Sequence, residues 1–382
     1  MNNRISTLIA CVFAATLALT PKASAEDKPK VIRIAYPGVG IGNRPYVGGN
    51  STAVVHLRGM FEEEFKPDGI RVEWTFLRGA GPAVNELYAN KLADFSLLGD
   101  LPSIVGKAGG LNTRILAATG IRGNTYLVVP ADSNISSIKE LKGRRIGLFK
   151  GTNTQLAVAK ILKDNGLTEK DVRFLNMDNA TIRAALVTKD IEGAFGNNDL
   201  LSLRDQGAVK VVYRTLGDPR YLRQASFVGT QDFISKYPEI TKRIVKTLVL
   251  AAKWISDNEK NPTLVYNLWT KSGVRFADYK EDQQGQALKP LASPLLDAYF
   301  VSQYKKQVEQ AKEFGLIKNA FSVDSWIEPK FLTQALNELG LQNFWTPADP
   351  SGKLATPTTA QAAPAAPGAV AQAPAAQPAP AQ

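Results

Sequence analysis

The sequence predicts an α/β fold with two lobes, the second inserted into the first. From Val31 onward short apolar strands alternate with amphipathic helices, and a second alternating set begins near Tyr126. Such alternation is typical of mostly parallel sheets that carry helices on both faces. After about Phe227 the alternation ends and long helices follow. Because these helices have no sheet of their own, we expect them to pack back onto the first set.

The first set consists of four predicted strands with helices between them. Its strands are VIRIAY, IRVEWTFL, DFSLLG and TRILAATG. Its helices are STAVVHLRGMFEEEF, GPAVNELYANKLA and LPSIVGKAG. Ser51 is the expected N-cap of the first helix, and Pro102 suits the first turn of the third.

The second set repeats this plan with five predicted strands. They are YLVVP, RRIGLF, VRFLNM, IEGAFG and VKVVYRT. The helices between them are SSIKELKG, TQLAVAKILKDNG, NATIRAALVTKD and NDLLSLRDQG. Ser137 and Glu140 predict a capping box at the start of SSIKELKG. The connections near residues 120–126 and 214–227 divide the chain into lobe 1, residues 30–124 and 226–346, and lobe 2, residues 125–225.

Both ends of the chain are predicted to lie outside the lobes. Arg4, an apolar run and Ala23-Ser24-Ala25 have the order of a secretory signal peptide, so residues 1–25 are expected to be removed after Ala25 and the protein exported to the periplasm. Lipid modification at Cys11 is the alternative. Residues 352–382, rich in Ala and Pro, predict a disordered tail, because such a segment has little apolar surface to bury.

The residue content argues against several kinds of chemistry. The chain has one cysteine, Cys11, which lies in the predicted signal peptide, and one histidine, His56. Motifs for a serine nucleophile, a zinc hydrolase or a phosphate loop are missing from the sequence. We therefore predict no catalytic residue, no metal and no cofactor. The net charge of +11 is spread along the chain without an arginine-rich run, which favours a basic surface that attracts small anions over a nucleic-acid partner.

A polar turn before a predicted helix is the clearest local candidate for anion binding. Gly151, Thr152, Asn153 and Thr154 separate the strand RRIGLF from the helix TQLAVAKILKDNG. The first turn of a helix has unpaired backbone N–H groups and a partial positive charge. The turn is therefore either a plain helix cap or a site for a small oxyanion.

Three stretches in fixed order resemble a known family. LADFSLLGDLPS, IKELKGRRIGLFKGTNT and VTKDIEGAF are similar to periplasmic substrate-binding proteins of ABC importers, of the sulfonate, taurine and nitrate type, and the likeness covers roughly residues 31–340. The resemblance implies a type II, Venus-flytrap fold that closes on its ligand by a hinge. It also implies a monomer that delivers the ligand to an inner-membrane permease driven by a cytoplasmic ATPase.

The resemblance also implies where the ligand binds. The corresponding positions here are, in chain order, Tyr36, Gly38, Arg78, Gly99, Asp100, Gly151, Thr152, Asn153, Thr154, Asn197 and Asn198. Two of these places depart from the sulfonate-binding pattern, since Pro37 follows Tyr36 and the loop after GAF reads GNNDL.

Several of these residues have a structural alternative. Asp100 is expected to cap a helix at Leu101, and Arg78 either binds an anion in a bidentate manner or pairs with a surface acid. Arg44 in the glycine-rich run PGVGIGNRPYVGGN is a further possible contact. Tyr36, Tyr126 and Phe227 would form an apolar wall if the ligand has an alkyl or aryl tail, with core packing as the alternative.

The sequence thus predicts a periplasmic solute-binding component that captures a small organic anion, a sulfonate or a sulfate ester. Nitrate, bicarbonate or an aromatic carboxylate is the alternative ligand. A sensor in place of an importer subunit is an alternative use, and an enzyme on the same fold is a remote one.

Overall fold

The computed structural model describes residues 28–216, 218 and 220–354, and for residues 121 and 122 the backbone alone. The predicted signal peptide with Cys11 and nearly all of the predicted tail lie outside the described residues. Within these residues ten strands form two sheets: β1 Val31–Tyr36, β2 Arg71–Phe76, β3 Phe95–Gly99, β4 Thr113–Gly123, β5 Tyr126–Pro130, β6 Arg145–Leu148, β7 Arg173–Asn176, β8 Gly193–Gly196, β9 Val209–Arg214 and β10 Arg223–Thr230.

Helices surround the sheets. They are α1 Ser51–Leu57, α2 Met60–Phe65, α3 Ala80–Ala89, α4 Asp100–Ala108, α5 Asn153–Asp164, α6 Asn179–Val187, α7 Leu201–Asp205, α8 Gln231–Lys236, α9 Pro238–Asp257, α10 Thr263–Trp269, α11 Phe276–Asp282, α12 Leu288–Leu291, α13 Ala298–Glu313 and α14 Lys330–Glu338. Among the described residues no helix has both the length and the apolar character of a membrane span.

Each sheet has five strands and the same plan. The first has the order β2-β1-β3-β10-β4 and the second β7-β6-β8-β5-β9. In each, four strands run in one direction and one runs against them, β10 in the first sheet and β5 in the second. These two strands are the first that the chain forms after it crosses from one sheet to the other.

The two sheets and the helices packed on them form two lobes, with the second inserted into the first. We call the unit around the first sheet lobe 1 and the unit around the second lobe 2. In lobe 1, α1, α2, α9 and α14 bury one apolar core, and α3, α4 and α13 bury another. In lobe 2, two smaller cores contain residues of α5 and of α6 respectively. The late helices therefore pack onto lobe 1, as their lack of a sheet partner predicts.

Local details differ from the sequence-based expectations at three places. STAVVHLRGMFEEEF forms two helices, because Gly59 between them lies in the left-handed region with φ of 63°. The N-cap of α1 is Asn50 and not Ser51, since the Asn50 side chain accepts from the Ala53 N–H. SSIKELKG forms only a 3₁₀ turn over Ile138–Leu141. The third difference is β10, which was not among the predicted strands. Its pairing begins at Arg223, so residues 223–225 join the sheet of lobe 1, whereas the expected boundary assigns them to lobe 2.

Candidate functional site

A cavity of about 530 Å³ lies between the two lobes. Its lining comes from β1, α3 and β3 of lobe 1, from the turns before α5 and α6 of lobe 2, and from the crossing segments near Asn124 and Arg223. In sheets with parallel strands, ligands bind beyond the carboxyl ends of the strands, where the chain turns into the next helix. The cavity occupies that edge of both sheets at once.

Four helices begin at this cavity. The lining includes Ala80 and Gly81 of α3, Gly99 before α4, Asn153 and Thr154 of α5, and Asn179 and Ala180 of α6. Each helix start contributes a partial positive charge and outward-facing N–H groups. At α6 the carboxylate of Asp178 already accepts from the Thr181 N–H, whereas α5 has no side-chain cap. The start of α5 is therefore open to an anion.

Arg223 supplies a half-buried cation beside the start of α5. Its Nη1 lies 2.7 Å from Asn197 Oδ1, 3.0 Å from Thr154 Oγ1 and 3.3 Å from Asn153 Oδ1. Its Nη2 donates to the backbone oxygen of Asn124, while Nε has no hydrogen-bond partner among the described residues. Because β10 belongs to lobe 1 and the three side chains belong to lobe 2, this guanidinium joins the lobes at the back of the cavity.

The amides that hold Arg223 keep their donor groups for a ligand. Asn153 and Asn197 accept from the guanidinium through Oδ1, so their NH₂ groups point elsewhere, and the hydroxyl of Thr154 accepts and can still donate. Burial lowers the pKa of Arg223 below its ordinary value, and the charges of Asp282 and Asp100 oppose this effect. An anion bound nearby would oppose it further.

Two carboxylates, the buried Asp199 and the half-buried Asp282, also line the cavity. Burial raises the pKa of Asp199 to about 6, although Arg183 lies within 3.9 Å of its carboxylate. Burial likewise raises the pKa of Asp282, which accepts hydrogen bonds from Tyr126 Oη at 2.7 Å and Asn124 Nδ2 at 3.1 Å. The cavity is therefore a mixed electrostatic environment, with free donors around Arg223 and α5 and a further unpaired donor at Trp269 Nε1.

Nine of the eleven sequence-predicted positions line the cavity. They are Tyr36, Gly38, Arg78, Gly99, Thr152, Asn153, Thr154, Asn197 and Asn198. The hydroxyl of Tyr36 accepts from Asn50 Nδ2 at 2.7 Å. Thr152 donates its hydroxyl to the Phe149 carbonyl, so this donor is already used inside its own loop.

Asp100 and Gly151 do not line the cavity. The Asp100 carboxylate is buried and accepts from the N–H groups of Leu101 and Gln224 and from Gln307 Nε2. Because three donors already satisfy this carboxylate, Asp100 is not available to contact an anionic ligand. Gly151 instead forms the turn, with φ of 75°, and its N–H donates to Gln155 Oε1 at 2.7 Å.

The structure also revises the predicted arginine contact and aromatic wall. Arg44 is exposed and does not line the cavity. Phe227 packs in the core of lobe 1 against Phe95. Tyr126 does not line the cavity itself but donates its hydroxyl to Asp282, which does. The aromatic residues that line the cavity with Tyr36 are Phe149, Trp269 and Tyr279.

Sequence reasoning missed two functional candidates, Arg223 and Arg183. Arg183 lines the cavity on the lobe 2 side, where Nη1 donates to Ser202 Oγ at 3.0 Å. A usable signal existed only for Arg223, a charged residue just before the apolar segment ASFVG, close to the predicted crossing between lobes. Among the described residues no group of three or more His, Cys, Asp or Glu side chains could hold a metal ion.

Comparison with known proteins adds family membership to this geometry. Residues 64–261, just over half of the chain, match the family model described as NMT1/THI5 like. A Bacillus subtilis (strain 168) protein named for binding aliphatic sulfonates is 28% identical over 200 residues. That match covers 52% of this chain and 59% of the relative, so the chain spans less than two thirds of the length of this relative.

Solved structures share the fold over most of the chain. The periplasmic sulfonate-binding protein SsuA from Methylobacillus flagellatus KT is 31% identical, with a TM-score of 0.70, over 84% of this chain and 98% of its own. The desulfurization enzyme DSZB, at 17% identity and a TM-score of 0.60 over 81% of this chain and 99% of its own, shares the fold alone. The chain therefore belongs to the NMT1/THI5-like family and has the two-lobed α/β fold of its periplasmic binding proteins.

Proposed function

We propose that this protein is the periplasmic solute-binding component of an ABC importer and that it captures a small organic anion, a sulfonate or a sulfate ester. The observation that carries the proposal is the half-buried guanidinium of Arg223 beside the open start of α5. A sulfonate, or the sulfate group of an ester, has three terminal oxygens to place. Backbone N–H groups, amide NH₂ groups and a threonine hydroxyl are suitable donors for them.

The relatives support the same ligand class. The similar proteins from Bacillus subtilis and Methylobacillus flagellatus are named for aliphatic sulfonates and for sulfonate binding. Under the proposal, the lobes open and close about the crossing segments near Asn124 and Arg223, and the closed form is delivered to a membrane permease that works with a cytoplasmic ATPase. Lobe 1 comprises residues 30–124 and 226–346 and lobe 2 residues 125–225, except that residues 223–225 move with lobe 1.

The proposal excludes a catalytic role. None of the described residues that line the cavity is a cysteine or a histidine, so the site offers neither a thiol nucleophile nor an imidazole base. The test is prolonged incubation of a bound sulfonate or sulfate ester with the protein, followed by mass spectrometry. The proposal requires complete recovery of the unchanged ligand, and a product that forms with time would instead identify an enzyme.

Ligand identity is tested by a thermal-shift screen. The panel contains alkanesulfonates, taurine, aryl sulfonates, sulfate esters, nitrate, bicarbonate and aromatic carboxylates. A ligand present at 100 times its dissociation constant stabilises the folded state by about 2.7 kcal/mol, which raises Tm by several degrees. Shifts with organosulfur anions are expected, and a shift with nitrate, bicarbonate or carboxylates alone would retain the fold and refute the ligand class.

A further inference from the structure

One face of helix α5 in lobe 2 packs against lobe 1. Residues three or four positions apart lie on the same face of a helix. The residues of this face are, in order, Asn153, Leu156, Lys160 and Lys163. Asn153 lies against Gly99 beside the cavity, and Leu156 joins the apolar core that α3, α4 and α13 form in lobe 1. At the far end of the helix Lys163 forms an ion pair with Glu313 of α13. This face of α5 is therefore a contact surface between the lobes.

The charge of Lys160 is buried in this contact surface. The residue is only 8% exposed, and none of the residues that the structure describes forms a hydrogen bond or an ion pair with its ammonium group. Burial lowers the pKa of Lys160, and the charges of Asp100 and Asp164 oppose this effect only in part. An ammonium group that leaves water without gaining hydrogen bonds destabilises the state that buries it.

The side of lobe 1 that faces Lys160 is also incompletely paired. The Asp100 carboxylate accepts from three donors that all belong to lobe 1, one of which is Gln307 Nε2. The Oε1 atom of Gln307, by contrast, is buried and has no hydrogen-bond partner within the described part of the chain. Both sides of the contact thus hold a polar group without the partners that water gives at an open surface.

Lys163, on the same face of α5, has the opposite arrangement. Its side chain is 56% exposed, and its partner Glu313 in lobe 1 is 50% exposed. An exposed ion pair keeps most of its hydration and contributes a small stabilisation. Two lysines on one helix face should therefore affect the association of the lobes in opposite directions.

We propose that Lys160 opposes closure of the lobes, so that the ligand-free protein favours the open form and closes when a bound anion provides the missing free energy. Without this opposition the contact would form readily, because Leu156 enters an apolar core and Lys163 gains a partner. A ligand changes a conformational equilibrium only by its difference in affinity for the two forms. The inference rests on the proposed function for the opening and closing of the lobes, and it does not depend on which anion binds.

The first test compares full-length proteins without ligand. Small-angle X-ray scattering gives the radius of gyration of the wild type, Lys160→Met and Lys163→Met. Methionine keeps an unbranched apolar side chain and removes the charge. The radius should be smaller in Lys160→Met than in the wild type, because the closed form is more compact, and it should not decrease in Lys163→Met. Equal radii in Lys160→Met and the wild type would overturn the inference.

The second test needs no variant. The wild type is treated briefly with acetic anhydride, and the acetylated lysines are identified by mass spectrometry of its peptides. Lys160 should be acetylated in the ligand-free protein, because opening exposes it, and its modification should fall at least fivefold when butanesulfonate is bound. Lys163 is the internal control and should react in both samples. Protection of Lys160 in the ligand-free protein would show that this contact does not open, and would overturn the inference.

Affinity separates a role in closure from simple attraction of the anion. Titration calorimetry with butanesulfonate should give a dissociation constant that is roughly 5- to 150-fold lower in Lys160→Met than in the wild type, the range usual for coupling between a conformational change and binding. Attraction of the anion by the lysine charge predicts the opposite, which is weaker binding in both lysine variants. Unchanged or weaker binding in Lys160→Met would contradict the proposal.

The outcomes also distinguish this inference from the proposed function. If the wild type binds neither butanesulfonate nor any other anion of the thermal-shift panel, the proposed function is refuted. The scattering and acetylation of the ligand-free protein then still decide whether Lys160 keeps the lobes apart. If butanesulfonate binds but both ligand-free measurements give the contrary result, the proposed function is retained and the role of Lys160 is refuted.

Discussion

Arg78 of lobe 1 and Asp178 of lobe 2 meet at the cavity, with Nη2 of the arginine 2.8 Å from Oδ2 of the aspartate. Arg78 precedes α3, and Asp178 is the N-cap of α6, where its other oxygen accepts from the Thr181 N–H. The guanidinium that the sequence offered as an anion ligand is therefore already engaged with a carboxylate of the opposite lobe. This geometry makes it a contact that holds the lobes together.

Removal of this contact should weaken ligand binding only slightly. The Arg78 side chain is 55% exposed, and exposed ion pairs contribute about 0.2–1 kcal/mol. Arg78→Ala should therefore raise the dissociation constant of the ligand by no more than about fivefold, and the charge-swapped double variant Arg78→Asp, Asp178→Arg should recover part of the loss. Calorimetric titration at low and high salt measures both. A loss well above tenfold that the swap does not restore would show that Arg78 touches the ligand.

Arg223 should matter far more. Hydrogen bonds to a charged group contribute about 1.5–3 kcal/mol, so Arg223→Met should weaken anion binding by roughly 10- to 150-fold. The affinity of Arg223→Lys for the anion should lie between those of Arg223→Met and the wild type. Arg220→Met, which removes an arginine whose side chain is 66% exposed, serves as the control and should bind normally. Wild-type affinity in Arg223→Met, with its folding verified by circular dichroism, would place the anion elsewhere.

Gly99 should be required for lobe closure. A Cβ atom there would lie 3.0–3.1 Å from the side chain of Asn153 on the opposite lobe. Overpacking of this kind costs about 1–3 kcal/mol, so Gly99→Ala should weaken ligand binding by roughly 5- to 150-fold. Because the contact exists only between lobes, the thermal stability of the ligand-free protein should change little.

The matched control for Gly99 is Gly38→Ala. Gly38 also lines the cavity, but a Cβ atom there would meet nothing within 4 Å. Titration calorimetry gives the affinities, and small-angle X-ray scattering reports whether the ligand still reduces the radius of gyration. Equal affinity in the two glycine variants would contradict the close approach of Gly99 and Asn153.

Asp199 should make stability depend on pH. Burial raises its pKa from 3.8 to about 6, so the folded state binds a proton between about pH 4 and 6 that the unfolded state does not. Its contribution to the free energy of unfolding therefore increases as pH falls from about 6 to about 4. Above pH 6 the buried charge costs about 3 kcal/mol. Asp199→Asn should stabilise the protein at pH 7.5 by up to that amount and much less at pH 4.5, as urea unfolding would measure.

The same titration should affect anion affinity. Asp199 lines the cavity, and protonation removes one negative charge from the neighbourhood of the ligand. Affinity for an organic anion should therefore rise as pH falls through about 6, and the pH dependence should be weaker in Asp199→Asn. Calorimetric titrations from pH 5 to 8 give the comparison. If the affinity of the wild type is constant over this pH range, the charge of Asp199 does not influence ligand binding.

The predictability of the site varied with the range of the interactions involved. The turn Gly151–Thr154 was predicted because a polar stretch between a strand and a helix is a local pattern. The role of Asp100 was predicted only in part. Its hydrogen bond from Leu101 is local and could be predicted, whereas its partners Gln224 and Gln307 are distant in the chain. β10 was missed because a central antiparallel strand depends on two neighbours, β3 and β4, that the sequence does not place beside it.

By itself, the sequence determined the α/β class, the order of the strands from β1 to β9, the approximate places where the chain crosses between lobes and the helix starts that form the cavity edge. These features follow from periodicity and turn chemistry, which act over a few residues. Only the tertiary structure decided that Arg223 meets Asn153, Thr154 and Asn197. The physical reason is distance along the chain, since Arg223 lies 26 to 70 residues from these partners, and only packing of the two lobes brings them into contact.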